Sequence, residues 1–133
     1  MNVALAVVGA IVLAQVLGGL VREATTDEPS HLEKVETCLT ERSTAFEPVV
    51  GDLIALSAAR GALRTTIEGN PVTVALGDSE SDAERVFDAY TSVGTADVVW
   101  RLEWRRKVVF LWDVPPSAAQ RDFMTLCTLD AQD

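Results

Sequence analysis

Asp78, Glu80, Asp82 and Glu84 alternate along the chain with the 1-3-5-7 spacing of an oxygen-ligated calcium loop. Such a loop also needs glycine at its sixth place and a bidentate acid at its twelfth, and Ala83 and Ala89 stand there. Acids just ahead of a helix complement its dipole, so capping is the expected role of this string. The sole histidine, His31, has no second histidine, cysteine cluster or paired nucleophile, so neither a zinc site nor a triad assembles. No glycine-rich nucleotide motif is present. With 20 acidic residues, a carboxylate pair can be drawn almost anywhere and marks no site. The expectation is a protein that is not an enzyme and takes no metal or cofactor.

The cysteines say more. Cys38 and Cys127 are an even count, lie near the two ends of the charged part of the chain, and have no ligand-type neighbours. Bridged, they close a loop of about 90 residues, worth on the order of 4.5 kcal/mol in the chain-entropy model. The alternative is two separate buried thiols acting as small hydrophobes. A third constellation is basic: Arg101, Arg105, Arg106 and Lys107 form one cluster in a chain of net charge −9. Trp100, Trp104 and Trp112 surround it. Trp and Arg together are enriched in interface hot spots, so Trp100, Arg101, Trp104, Arg105, Arg106 and Lys107 are the expected partner-binding residues. The bland readings are a solvated hairpin tip that discourages edge pairing and tryptophans in the core.

These residues must be positioned by an internal repeat. A fixed offset lays Val72 on Val108 and brings Ser81/Ser117, Ala83/Ala119, Arg85/Arg121 and Phe87/Phe123 into identity. Each copy reads as a buried strand, a turn, a serine N-cap and an amphipathic helix, with Ser81-x-x-Glu84 and Ser117-x-x-Gln120 as capping boxes. Upstream, Ala62–Glu68 alternates and turns at Gly69-Asn70-Pro71. Val98–Trp104 alternates, with Trp100, Leu102 and Trp104 on one face, and turns at Arg105-Arg106-Lys107. The expected fold is α+β: two ββα units, a four-stranded antiparallel sheet, and helices packed on one face. Residues 72–76 and 108–112 are apolar on both faces, which suits central strands.

A further helix is expected from the Ser30-x-x-Glu33 capping box, with Leu32, Val35 and Leu39 at helical spacing and Cys38 bordering the core. In the last helix Phe123, Leu126 and Cys127 should share a face. Pro48 is expected to open a helix through Leu53, Ile54, Leu56 and Ala59. Val72-Thr-Val-Ala-Leu-Gly followed by Ser81-Asp-Ala-Glu-Arg resembles the strand-turn-helix of BON domains, which are envelope-associated and linked to membrane binding. The resemblance covers about 20 residues and departs in the second copy, where Asp113 replaces Gly77. It is not adopted as a family assignment.

Ahead of all this, residues 3–21 carry no charge and one polar side chain, Gln15; all 11 basic and 20 acidic side chains follow. As a helix this run reaches roughly 28 Å, close to the hydrocarbon thickness of a bilayer. It is long for a signal-peptide core and lacks a basic flank before it. Residues 1–21 are therefore expected to be a transmembrane anchor or uncleaved signal, 22–29 a linker, and 30–133 one α+β domain. Arg22 and Lys34 alone would favour a cytoplasmic domain. The cysteines favour the extracytoplasmic, oxidising side, and that is the expected location. An acidic domain repels nucleic acid phosphates, which removes that partner class. The expected function is a single-pass membrane-anchored protein whose domain binds another envelope component. A lipid or small-molecule carrier is the alternative, and a hydrolase with unidentified carboxylates the third.

If the thiols are paired, a maleimide probe applied to the denatured chain should label Cys38 and Cys127 only after reductant. Labelling without reductant would show them free.

Overall fold

In a computed structural model of the chain, residues 28–133 are described. The anchor expected at 1–21 and nearly all of the linker lie outside them. Among the described residues no helix is long and apolar enough to cross a membrane.

The elements run α1 (His31–Glu41), β1 (Phe46–Pro48), α2 (Leu53–Leu56), β2 (Ala62–Ile67), β3 (Asn70–Leu76), α3 (Glu80–Val93), a 3₁₀ turn (Ala96–Trp100), β4 (Leu102–Arg105), β5 (Val108–Trp112), α4 (Ala118–Cys127) and α5 (Leu129–Gln132). The fold is α+β. Its sheet is antiparallel, in the order β1-β2-β3-β5-β4. The doubly apolar strands β3 and β5 are central. The sheet has five strands rather than four, because Pro48 closes the short edge strand β1 instead of opening a helix; α2 starts later, with the Asp52 carboxylate accepting from the Ala55 N–H at 3.0 Å.

Helices cover both faces of the sheet, not one. On one face Val72, Val74 and Leu76 of β3 and Val108, Phe110 and Trp112 of β5 pack against Val35 and Leu39 of α1, Met124 and Cys127 of α4, and Ala131 of α5. On the other, Ala75 and Val109 meet Ala55 of α2 and Ala83, Val86 and Tyr90 of α3. Apolar residues on both faces of β3 and β5 leave two apolar surfaces, and each needs its own cover. The second ββα unit therefore copies the order of the first but places its helix on the opposite face.

The strand-to-helix connections account for this. Three residues, Gly77–Ser79, join β3 to α3. A Cβ at position 77 would lie 3.0 Å from the Ala83 nitrogen and 3.1 Å from the Ser79 carbonyl oxygen, so the tight turn favours glycine there. The cap is Ser79, whose hydroxyl accepts from the Asp82 N–H at 3.0 Å, and not Ser81, which lies inside the helix. Asp82 reaches back to the Ala59 N–H at 2.9 Å and pairs with Arg85 at 2.6 Å, pinning the loop before β2 to α3. The longer connection, Asp113–Ser117, contains Pro115 and Pro116 and is clamped by buried Asn70. Its side chain donates to the Val114 carbonyl and the Gln120 Oε1 and accepts from the Val114 N–H. Asn70 thus belongs to β3, and the first hairpin turns at Glu68 (φ 52°) and Gly69 (φ 80°), the two positive values of a type I′ turn. The capping boxes at Ser30 and Ser117 form as expected.

Cys38 and Cys127 form a disulfide with Cα atoms 5.4 Å apart, tying α1 to α4 across 89 residues. In α4 the inward residues are Gln120, Met124 and Cys127. Phe123 packs at the edge of the core, but Leu126 is exposed, because neighbouring residues of a helix point about 100° apart and Cys127 takes the inward direction.

The two Asp82 contacts give a pH test. Burial pushes the Asp82 carboxyl up, but the Ala59 N–H, the Arg85 hydrogen bond and charge, and the Asp78 N–H together hold it below 3.8. A carboxyl lowered on folding adds stability above its unfolded pKa, and loses it as pH falls through the folded value. Asp82→Asn should destabilise the domain by about 1–3 kcal/mol at neutral pH and flatten the loss of stability below pH 3.8. Denaturant titrations at several pH values read both.

Candidate functional site

Three consecutive apolar residues, Val98, Val99 and Trp100, interrupt the period-two pattern ahead of β4. That interruption is the signal that residues 96–100 form a 3₁₀ turn, where alternation predicts strand. The turn folds back on the end of α3: a Cβ at Gly94 would lie 3.0 Å from Val98 side-chain atoms, and Val98 is buried there. Its neighbours point out. Trp100 is 72% exposed, Val99 57% and Val93, the last residue of α3, 73%. Val93 and Val99 were missed in the sequence for want of this turn.

The six expected binding residues are not one surface. Trp104 lies in β4 with its ring 5.6 Å from that of Phe87 on α3, and its indole N–H donates to the Arg106 carbonyl at 2.6 Å. It is 38% exposed, half in the core and half out. Leu102 shares its face; Trp100, outside the strand, does not. Arg101 is a clamp: its guanidinium donates to the Trp112 carbonyl at 2.8 Å and to Asp97 at 3.2 Å. The Thr95 hydroxyl, and after it the Arg101 charge, hold the Asp97 carboxyl below the usual carboxylate range. Trp112 belongs to the core, fully buried, with its indole N–H 3.3 Å from Glu103, which pairs with Arg121 at 2.6 Å.

At the hairpin tip, Arg105 pairs with Val108 in the ladder, so the turn is Arg106-Lys107 alone. Arg106 has φ 56°, the left-handed region, and is held there from both sides of its peptide. Its carbonyl takes the Trp104 indole and its guanidinium donates to the Gln132 carbonyl at 2.7 Å. Lys107 donates to the Asp133 carbonyl. The basic tip is thus docked on the end of α5. Arg105 alone of the cluster is exposed with no ion pair or hydrogen bond among the described residues.

Tip and corner lie at opposite ends of α3. Arg106 is 3.9 Å from Glu80 at its first residue, and the 3₁₀ turn packs on its last. Fourteen helical residues separate them, about 21 Å.

Elsewhere, two open grooves flank the β1 edge. One of about 290 Å³ is lined by Ala45, Phe46, Glu47 and Arg64–Thr66, and one of about 230 Å³ by Thr44, Thr66–Glu68, Ala119 and Phe123. Both lie at or below the lower size of ordinary ligand sites. Burial, and then the hydrogen bond it donates to the Asp52 carboxylate at 2.5 Å, push the Tyr90 hydroxyl well up. That pair joins α3 to α2. Among the described residues no group of three or more His, Cys, Asp or Glu is placed to hold a metal ion.

Compared with known proteins, the chain matches no family model, no curated protein and no solved structure.

The division between clamped and free side chains is measurable. Arg101→Ala leaves the Trp112 carbonyl without its guanidinium donor and removes one of the partners of Asp97, and should lower unfolding free energy by about 1–3 kcal/mol. Trp100→Ala and Arg105→Ala should stay within about 0.5 kcal/mol of the parent. Chemical denaturation of the three variants reads the difference.

Proposed function

We propose that this chain is a single-pass membrane-anchored protein whose extracytoplasmic domain is a non-enzymatic interaction module for another envelope component. The observation that carries the reading is the corner Val93–Val99–Trp100. A tryptophan mostly in water beside two exposed valines, and free of any structural hydrogen bond among the described residues, is a surface awaiting a partner. The contact surface proposed is therefore Trp100 with its valines, narrower than the six residues legible in the sequence. Arg101 is engaged inside the domain, and Arg106 and Lys107 each anchor the hairpin tip on the end of α5 through one donor, which argues against the tip as the protein-contact surface.

The location draws on two further features. The uncharged run 3–21 has the length of a bilayer-spanning helix. The disulfide between α1 and α4 belongs to an oxidising compartment. Core side chains fill both sides of the sheet, which supports the module reading over a carrier with a cavity between sheet and helices.

The test is site-specific photocrosslinking in intact cells. A photoreactive residue at Trp100 should give a discrete adduct in the alkali-resistant membrane fraction, and the same residue at exposed Asp122 on α4 should not. Equal adducts at both positions, or none at Trp100, would remove the corner as the contact surface.

A further inference from the structure

The chain enters the described domain at its basic end. Arg60, just before β2, brings its guanidinium to 3.3 Å from the His31 ring at the start of α1, and its own N–H donates to the Leu76 carbonyl at the end of β3. The next residue, Gly77, donates to the Lys107 carbonyl at the hairpin tip. Lys34, one turn into α1, lies 3.9 Å from Asp130 on α5. The chain's two lysines, Lys34 and Lys107, are thus both at this end. So are Arg60, Arg105 and Arg106, in a protein of net charge −9. Two acids pair with these cations, Glu80 with Arg106 and Asp130 with Lys34; both are more than 60% exposed and reach their partners only at 3.9 Å, and Asp78 and Asp133 lie at this end too. Ion pairs that long and that wet hold weakly, so a competing phosphate can take the cation. Arg106 and Lys107 each also give one donor to a carbonyl, of Gln132 and Asp133, and keep their other donors.

The 27 residues that precede the described domain, including the uncharged run 3–21, join it at this same end. We infer that the basic end, with Lys34, Arg60, Arg105, Arg106 and Lys107, faces the bilayer and engages anionic phospholipid headgroups, leaving the Trp100 corner pointing away from the membrane. This rests on the proposed anchoring of residues 3–21. It adds an orientation and a lipid class to it. Basic groups next to a span are drawn to an anionic surface, and within a Debye length that attraction competes with exposed intramolecular pairs. The opposite end, about 21 Å away along α3, is then presented to a partner outside the headgroup layer.

The full chain, reconstituted into vesicles of phosphatidylcholine alone or mixed with phosphatidylglycerol in equal parts, gives the test. Acylation of Lys34 and Lys107 is read by mass spectrometry in the parent chain, and acrylamide quenching of Trp100 is read separately in a Trp104→Phe background, where the remaining Trp112 is fully buried. In the mixed vesicles both lysines should be protected about five-fold or more. About 1 M salt should abolish that protection, and Arg105→Glu should weaken it. Trp100 should remain equally quenchable in both lipids. A chain that floats with the vesicles but labels equally in both overturns the lipid contact and leaves the anchoring intact. A chain that fails to float overturns both. Shielding of Trp100 with open lysines reverses the orientation and overturns the inference.

Discussion

Two adjacent strands with no polar face set the terms for the rest of this protein. β3 and β5 pair through five register positions, from Val72 with Trp112 to Leu76 with Val108. One, bulkier side carries Val72, Val74, Leu76, Val108, Phe110 and Trp112; the other carries Ala75, Val109 and Leu111. Neither side can be left to water, so the pair demands a helical layer above and below. The bulkier side receives α1, α4 and α5. The other receives α2 and α3. The disulfide belongs to the thicker layer: α1 lies far from α4 in the chain, and the bridge holds the first helix of the described domain against the last long one.

Much of the polar chemistry of the chain serves that architecture. Buried Asn70 and Gln120 tie the β5–α4 connection to the end of β2 through the Ile67 carbonyl. Asp82 ties the loop before β2 to α3, and Arg101 ties the 3₁₀ turn to the end of β5. Each satisfies backbone groups that the turns leave without a ladder partner. Side chains of types that do catalysis elsewhere are here fastening connections. The Trp100 corner is among the surfaces that this fastening leaves exposed.

Much of the architecture was legible in the sequence. The central strands followed from their doubly apolar pattern, the capping boxes at Ser30 and Ser117 from their spacing, and the pairing of Cys38 with Cys127 from their number and positions. Each of these is local, or concerns a pair with no competing partner. The candidate site was legible in composition but not in arrangement. Trp100, Trp104 and Trp112 look alike in the chain, yet one is exposed, one half-buried and one in the core. Arg105, Arg106 and Lys107 are consecutive, yet two of them dock on the end of α5 and one does not.

Pattern and spacing by themselves determined that the domain is α+β, that β3 and β5 are interior, and that α1 and α4 begin at serine caps. Only the tertiary structure decided which face each helix covers, where β4 begins and which basic groups are free. The reason is physical. Periodicity reports which side of an element is apolar, but the identity of the cover depends on connection geometry and on distant partners such as Asn70 and Asp82. No local pattern encodes these.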